Sequence, residues 1–257
     1  MSYPPTFDTI GQPFILLTTV DSTNNYAMAK VHEGAGTHGT VYFALDQTAG
    51  KGQRGKTWKS IPGQNIMMSV IIDPGTARTD QSFMMSCVIS LACYDFYKSF
   101  AGDETSIKWP NDIYWRDRKA GGILIENVFS SGGSRWKCSI AGTGLNVNQT
   151  DFGEIGSRAV SLRQITGKQF EVTEAGKTLC GYISHRLRQF YEHRFEELLD
   201  DFNAALFMRN QKVKLRKGPV VFETTILGAD QTGKLMVKDT IERSFASGEV
   251  IWVFDND

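Results

Sequence analysis

Apolar and polar positions change period several times along the chain, and each change marks an element. The run "FILLTTV" (14–20) is β-branched and apolar, as a strand requires. "DSTNN" follows, with Ser22 or Thr23 suited to cap a short helix that ends near Gly34. "GTVYFALDQTAG" and "QNIMMSVII" predict two strands joined by a loop rich in glycine and cations. In "QSFMMSCVISLACYDFYKSF" the apolar Met84, Cys87, Val88, Leu91 and Tyr94 recur at helical spacing. "TSIKWPNDIYW", "AGGILIENVF" and "WKCSIAGTGLNVN" predict further strands linked by turns. Residues 173–208 predict a helical stretch with Leu179, Ile183, Leu187 and Phe190 on one face. From Gln211 the pattern shortens to alternating segments, "KVKLRKG", "VVFETTILG", "GKLMVKD" and "EVIWVFD". Gly218-Pro219 and Asp230–Gly233 supply turn chemistry between them. The sequence thus divides near residue 210, into a larger unit (1–209) and a small β unit (210–257).

Bulk numbers narrow the class without naming a chemistry. Lysine plus arginine equals aspartate plus glutamate at 28 each, so no net positive field invites a polyanion. The longest uncharged apolar stretch, Ser82 to Tyr94, is shorter than the ~20 residues a membrane helix needs. The N-terminus lacks the basic start and apolar run of a secretory leader. Cys87, Cys93, Cys138 and Cys180 form no C-x-x-C, and the four histidines form no H-x-x-x-H, which points to buried free thiols and to no metal site. A cytoplasmic protein with no membrane and no DNA partner is expected.

Chemistry is concentrated in a few stretches. "DSTNN" places short polar side chains beside the unpaired N–H groups of a helix start. "GKGQRGKTW" (50–58) joins three glycines, which let a backbone approach a ligand closely, to Lys51, Arg54 and Lys56. This stretch is not read as a P-loop. "KWPND" (108–112) sets a lysine at a strand end, and Pro110 fixes its own φ and biases Trp109 towards extended backbone. "RKAGGILIE" (118–126) brings Lys119, Gly121 and Gly122 to the start of a strand that pairs back onto it.

Taken in order, D-S-T-N, Q-x-A-G-x-G-x-x-G-x-x-W, K-W-P-N-D, K-x-G-G-I-L-x-E and G-x-G-x-N fill the first 150 residues. That set resembles the biotin protein ligases. The resemblance implies an α+β fold: a class II synthetase-like catalytic domain with a mixed, mostly antiparallel sheet flanked by helices, then a C-terminal SH3-like β-barrel. It implies activation of biotin by ATP with Mg²⁺, giving biotinyl-5′-AMP, and transfer of biotin to a lysine of a biotin carboxyl carrier protein. It gives Lys108 the central catalytic role. Ser22, Thr23, Asn24, Gln47, Gly50, Lys51, Gly121 and Gly122 would hold biotin. Lys51, Gly52, Gln53, Arg54, Gly55, Lys56, Trp58, Asn111, Lys119, Gly142, Gly144 and Asn146 would hold ATP and the adenylate. About fifteen residues precede the first strand, too few for the helix-turn-helix of bifunctional members, so a monofunctional enzyme, monomer or homodimer, is expected. The alternatives are a lipoate–protein ligase, whose R-R-x-x-G-G-G-x-V stretch is not found, and a non-catalytic biotin-binding regulator.

Overall fold

Asn65–Ile72 is buried at all eight positions, so it must lie inside a sheet covered on both faces. The computed structural model, which describes residues 9–130, 132–133 and 135–254, puts it there. The first unit contains, in chain order, β1 (Phe14–Val20), α1 (Thr23–His32), β2 (Val41–Gln47), β3 (Asn65–Ile72), α2 (Ser82–Ala101), β4 (Thr105–Lys108), β5 (Asp112–Trp115), β6 (Arg118–Phe129), β7 (Trp136–Asn146), α3 (Leu162–Thr166), α4 (Val172–Tyr191) and α5 (Phe195–Ala204). The seven strands form one sheet in the order β1-β2-β3-β7-β6-β5-β4. Only β1 and β2 run parallel; the other pairs are antiparallel.

Strand alternation splits this sheet into two faces. Ile66, Met68, Val70 and Ile72 of β3, with Ala141 and Leu145 of β7, bury against α2, α4 and α5 in the main core. Burial of each such side chain contributes about 1.5–3 kcal/mol. Tyr42, Ile71, Cys138 and Ile140 face the other way and pack on Ala27 of α1. On that second face β6 and β7 offer Gly122, Gly142 and Gly144, and here the sheet floor stays low.

The expected helical stretch 173–208 is two helices. His193 takes a left-handed φ of 57°, and the Arg194 N–H returns to the Gln189 carbonyl, which closes α4 in the manner of a C-terminal cap. Ser22 occupies the N-cap of α1 in extended backbone but its side chain makes no capping bond. Arg186 of α4 ties the helical layer together, with Nε and Nη2 donating to Asp95 of α2 at 2.6 and 3.1 Å and Nη1 to Asp201 of α5 at 2.6 Å.

The second sheet begins at Lys212: β8 (Lys212–Lys217), β9 (Val220–Ala229), β10 (Leu235–Lys238), β11 (Glu242–Phe245) and β12 (Ile251–Val253). All its pairs are antiparallel, in the order β11-β10-β9-β8-β12. This is a small, wholly antiparallel C-terminal β domain, in the place where the resemblance implies an SH3-like barrel. The short β11 and α3 were not legible in the alternation. No described helix is long and apolar enough to cross a membrane.

Candidate active site

The glycines of β6 and β7 lie at the floor of a cavity because nothing larger fits there. A Cβ on Gly142 would stand 2.2 Å from Asn24 Oδ1, and one on Gly144 would stand 2.6 Å from the Trp58 ring. The cavity is walled by the start of α1, the end of β2, the 50–58 loop, the β4–β5 turn and the first half of β6.

Its deep end is lined by neutral, hydrogen-bonded side chains. Thr23 donates its N–H to Gln47 Oε1 at 2.8 Å, and Ser69 Oγ lies 2.7 Å from Thr23 Oγ1 and 2.6 Å from Asn24 Oδ1. Asn24 Nδ2 donates to Glu126 Oε2 at 2.7 Å and to the Leu124 carbonyl at 3.2 Å. Thr23, Asn24 and Ser69 are buried, so these side chains are held in fixed orientation, as recognition of a small polar head group requires. Ser22 lines the cavity rather than capping its helix. Two buried polar atoms of the lining, Trp58 Nε1 and Thr143 Oγ1, have no hydrogen-bond partner among the described residues. A buried group left without a bond costs about 1–3 kcal/mol, and a ligand supplying acceptors here would recover that cost.

The other end carries charge. Lys119 Nζ lies 2.7 Å from Asp112 Oδ1, with the lysine side chain 36% and the aspartate 24% exposed. The same ammonium stands 5.8 Å from the centre of the Trp58 ring. Beneath it Asn146 Nδ2 donates to the Lys119 carbonyl at 3.4 Å and to the Val160 carbonyl at 3.1 Å, so Asn146 braces the backbone from behind. Asn111 Nδ2 donates to the Ile123 carbonyl at 2.6 Å, tying the β4–β5 turn to β6. Lys51 Nζ is 4.0 Å from Glu126 Oε1 at the rim. Two lysines stand at this end, each beside one carboxylate, and their ammonium groups suit a group bearing a phosphate. Among the described residues no cluster of three or more His, Cys, Asp or Glu could hold a metal.

Of the residues singled out from sequence, Ser22, Thr23, Asn24, Gln47, Lys51, Gly52, Gln53, Trp58, Asn111, Lys119, Gly122, Gly142 and Gly144 line this cavity. Gly50 packs under the Trp58 carbonyl and the Gln47 amide, and Gly121 backs onto Leu145 and the Gly144 carbonyl. Arg54 turns away and donates to the Ser247 carbonyl of the C-terminal domain; Gly55 and Lys56 are exposed. Lys108 is not in the lining. It ends the edge strand β4, two strands from β6, and its Nζ lies 3.0 Å from Tyr114 Oη among aromatic rings. At ~4.8 Å per strand that offset is roughly 10 Å, and the lysines that do line the cavity are Lys51 and Lys119.

Asp112, Ile123, Leu124, Thr143, Ser69 and Glu126 belong to the cavity or its hydrogen bonds and were not singled out. Asp112 and Glu126 stand inside the quoted motifs K-W-P-N-D and K-x-G-G-I-L-x-E, which was the available signal. The letters of Gly50–Thr57 do match G-x-x-x-x-G-K-[ST], yet the segment is no P-loop. It folds into a turn at Gln53–Gly55, closes on itself through the Trp58 N–H to the Gly50 carbonyl, and leads to β3 rather than to a helix.

Comparison with known proteins settles the lineage. Residues 16–146 match the model of the biotin/lipoate A/B protein ligase family. The chain belongs to that family. The bifunctional ligase/repressor BirA of Bacillus spizizenii is 31% identical over 238 residues, 90% of this chain and 71% of that protein. The biotin–[acetyl-CoA-carboxylase] ligase of Paracoccus denitrificans is 27% identical over 231 residues, 87% of this chain and 93% of that one. Among solved structures, the biotin protein ligase from Aquifex aeolicus in complex with biotin and ATP superimposes with a TM-score of 0.75 at 27% identity, covering 93% of this chain and 97% of that one. The cavity described above therefore sits in a biotin/lipoate ligase sheet.

Proposed function

We infer that the protein is a biotin protein ligase, which activates biotin with ATP to biotinyl-5′-AMP and passes the biotinyl group to a lysine of a biotin carboxyl carrier protein. One observation carries the reading: a neutral hydrogen-bonding pocket and a carboxylate-paired lysine face one cavity over a glycine floor. A fused ureido ring needs neutral donors and acceptors in fixed positions, and Ser22, Thr23, Asn24 and Gln47 offer them. The apolar wall formed by Ile123, Leu124 and Trp58 suits the remainder of the bicycle. The relatives named as biotin ligases, and the related structure described as holding biotin and ATP, support the same substrates.

The first step brings two anions together. Biotin's carboxylate attacks the α-phosphorus, the bond to the β-phosphate oxygen breaks, and pyrophosphate leaves. Like charges ~4 Å apart repel by about 4 kcal/mol at an effective dielectric of 20, so a fixed cation between them is worth orders of magnitude in rate at ~1.4 kcal/mol per tenfold. We assign that cation to Lys119. Its partner Asp112 and the Trp58 ring hold the ammonium in place before substrate arrives, so little reorganisation accompanies the attack. Lys51 at the rim is the second cation within reach of phosphate. Mg²⁺ enters with ATP as part of that substrate. The mixed anhydride is prone to hydrolysis, and the 50–58 loop lies where it would screen it from water.

Mass spectrometry of the purified protein after incubation with biotin and MgATP tests this reading. A retained mass equal to biotinyl-5′-AMP is expected. Retention of a lipoyl adenylate in its place, when lipoate is offered in competition, contradicts it.

A further inference from the structure

Lys108, displaced from the cavity, has a place of its own. Its ammonium stands 4.7 Å from the ring centre of Tyr114, 5.5 Å from that of Trp252 and 4.4 Å from that of Phe254, with Tyr114 Oη at 3.0 Å. Tyr114 belongs to β5 of the first sheet; Trp252 and Phe254 belong to the last strand of the second and its continuation. A cation among aromatic faces from two units binds them together. The next residue repeats the contact by another means: Trp109 Nε1 donates to the Gly233 carbonyl, in the β9–β10 turn, at 3.0 Å. The preceding residue, Ile107, exchanges backbone bonds with Ala205 and Phe207 of the connector, each at 2.8 Å. Lys108 and Trp109 thus grip the C-terminal domain and Ile107 the connector that leads to it, while Asn111 and Asp112, just beyond Pro110, line the adenylation cavity.

Among the described residues, the C-terminal domain contributes no lining residue to that cavity. It does wall a second cleft, where Thr232, Gly233 and Ser247 face Ser86 of α2 and Ile125 of β6. The two spaces meet at Gln53, Asn111 and Ile123. We propose that Lys108 and Trp109 are positioning residues that clamp the C-terminal domain and so fix the width of this second cleft, serving transfer to the carrier and not adenylate formation. The inference rests on the biotin ligase reading for its second step. Loosening the clamp moves the wall of the second cleft that the C-terminal domain supplies, and reaches the first cavity only through the shared lining and the Arg54–Ser247 contact.

The test uses the full chain as Lys108→Met, which keeps the aliphatic stem, Lys108→Arg, which keeps the cation, and Trp109→Phe, which keeps a ring without the N–H. Hydrogen exchange over 232–234 and 246–248, pyrophosphate release at saturating biotin and MgATP, and biotin transfer at limiting carrier are measured on each. Lys108→Met is expected to speed exchange in both segments, to hold pyrophosphate release within about threefold, and to slow transfer about tenfold, a factor within reach of a cation–π contact. Lys108→Arg should restore transfer to within about threefold of the parent, and Trp109→Phe should speed exchange over 232–234. Unchanged exchange, or pyrophosphate release falling as far as transfer in a folded variant, overturns the proposal. Should Lys108→Met not fold, Lys108→Arg and Trp109→Phe decide it by the same comparison. If the parent protein releases no biotin-dependent pyrophosphate, the ligase reading fails, and the exchange data alone judge the clamp.

Discussion

Gly144 shows how much a single missing Cβ controls. The Trp58 ring lies over it, and a methyl group there would meet the ring at 2.6 Å. Overpacking of this kind costs about 1–3 kcal/mol unless the ring moves. Gly144→Ala is therefore expected to fold, to swing Trp58 out of place, and to weaken biotin binding by about tenfold or more. Titration calorimetry with biotin checks this, and unchanged affinity would show that Trp58 does not wall the biotin site. The two lysines mark the limit of what single residues disclose. Lys108 and Lys119 both stand in quoted motifs, both beside glycine, proline or aspartate, and their local sequence gives no reason to prefer either. Strand order separates them: β4 is the rim of the sheet, and β6 borders the glycine floor on β7, which is why the proposal rests on Lys119. Motif letters report proximity along the chain and are silent on which strand lies next to which.

At the scale of elements, the 50–58 loop and the helical layer behave differently. The loop closes on itself through Gly52 N–H to the Lys56 carbonyl and Trp58 N–H to the Gly50 carbonyl, and outside itself it is held by Arg54 to Ser247, by the long Lys51–Glu126 pair and by the Trp58 ring over Gly144. Segments with such sparse anchoring open easily. Limited proteolysis with trypsin should cut after Lys51, Arg54 or Lys56 in the free protein and be suppressed once biotin and MgATP are present. Equal cutting in both states would argue against closure over the adenylate. The helices, by contrast, are stapled by Arg186, whose side chain is only 14% exposed. Its charged hydrogen bonds are each worth about 1.5–3 kcal/mol, discounted towards Asp201 because that carboxylate is 46% exposed. Arg186→Met should lower stability by about 2 kcal/mol, a fall of roughly 4–8 °C in Tm for a chain of this size, with activity at low temperature unchanged. The apolar spacing of α2 and α4 made both helices legible. The break at His193 was not, because a left-handed histidine leaves no mark in a hydrophobic pattern.

For the whole molecule, alternation and turn residues disclosed strands of both sheets, since each sheet rests on burial of its faces. The link between them was hidden, because it runs through Lys108, Trp109 and Arg54, polar or aromatic side chains with no periodicity. The thiols give a global check on packing. Cys87, Cys93, Cys138 and Cys180 are all free and buried. Burial pushes the thiols of Cys87, Cys93 and Cys138 up, and that of Cys180 up to about 12. At pH 8 they keep their protons, so a thiolate-selective reagent should label none in the native state and all four on unfolding. The sign for stability follows: thiols that ionise near ~8.5 in the unfolded chain and higher in the fold favour the native state below that pH. That contribution is lost as pH rises towards 12, and denaturation midpoints measured from pH 8 to 11 should fall accordingly. Rapid labelling of the native protein would contradict the core described.

The central claim, that a neutral pocket and Lys119 act together to join biotin to AMP, is tested most directly by exchange of labelled pyrophosphate into ATP. The parent protein should catalyse exchange only when biotin is present, and folded Lys119→Gln should be slower by about 10²-fold or more, the loss expected for removing one fixed cation from between two anions. Exchange that ignores biotin, or a folded Lys119→Gln that keeps the parent rate, would contradict it.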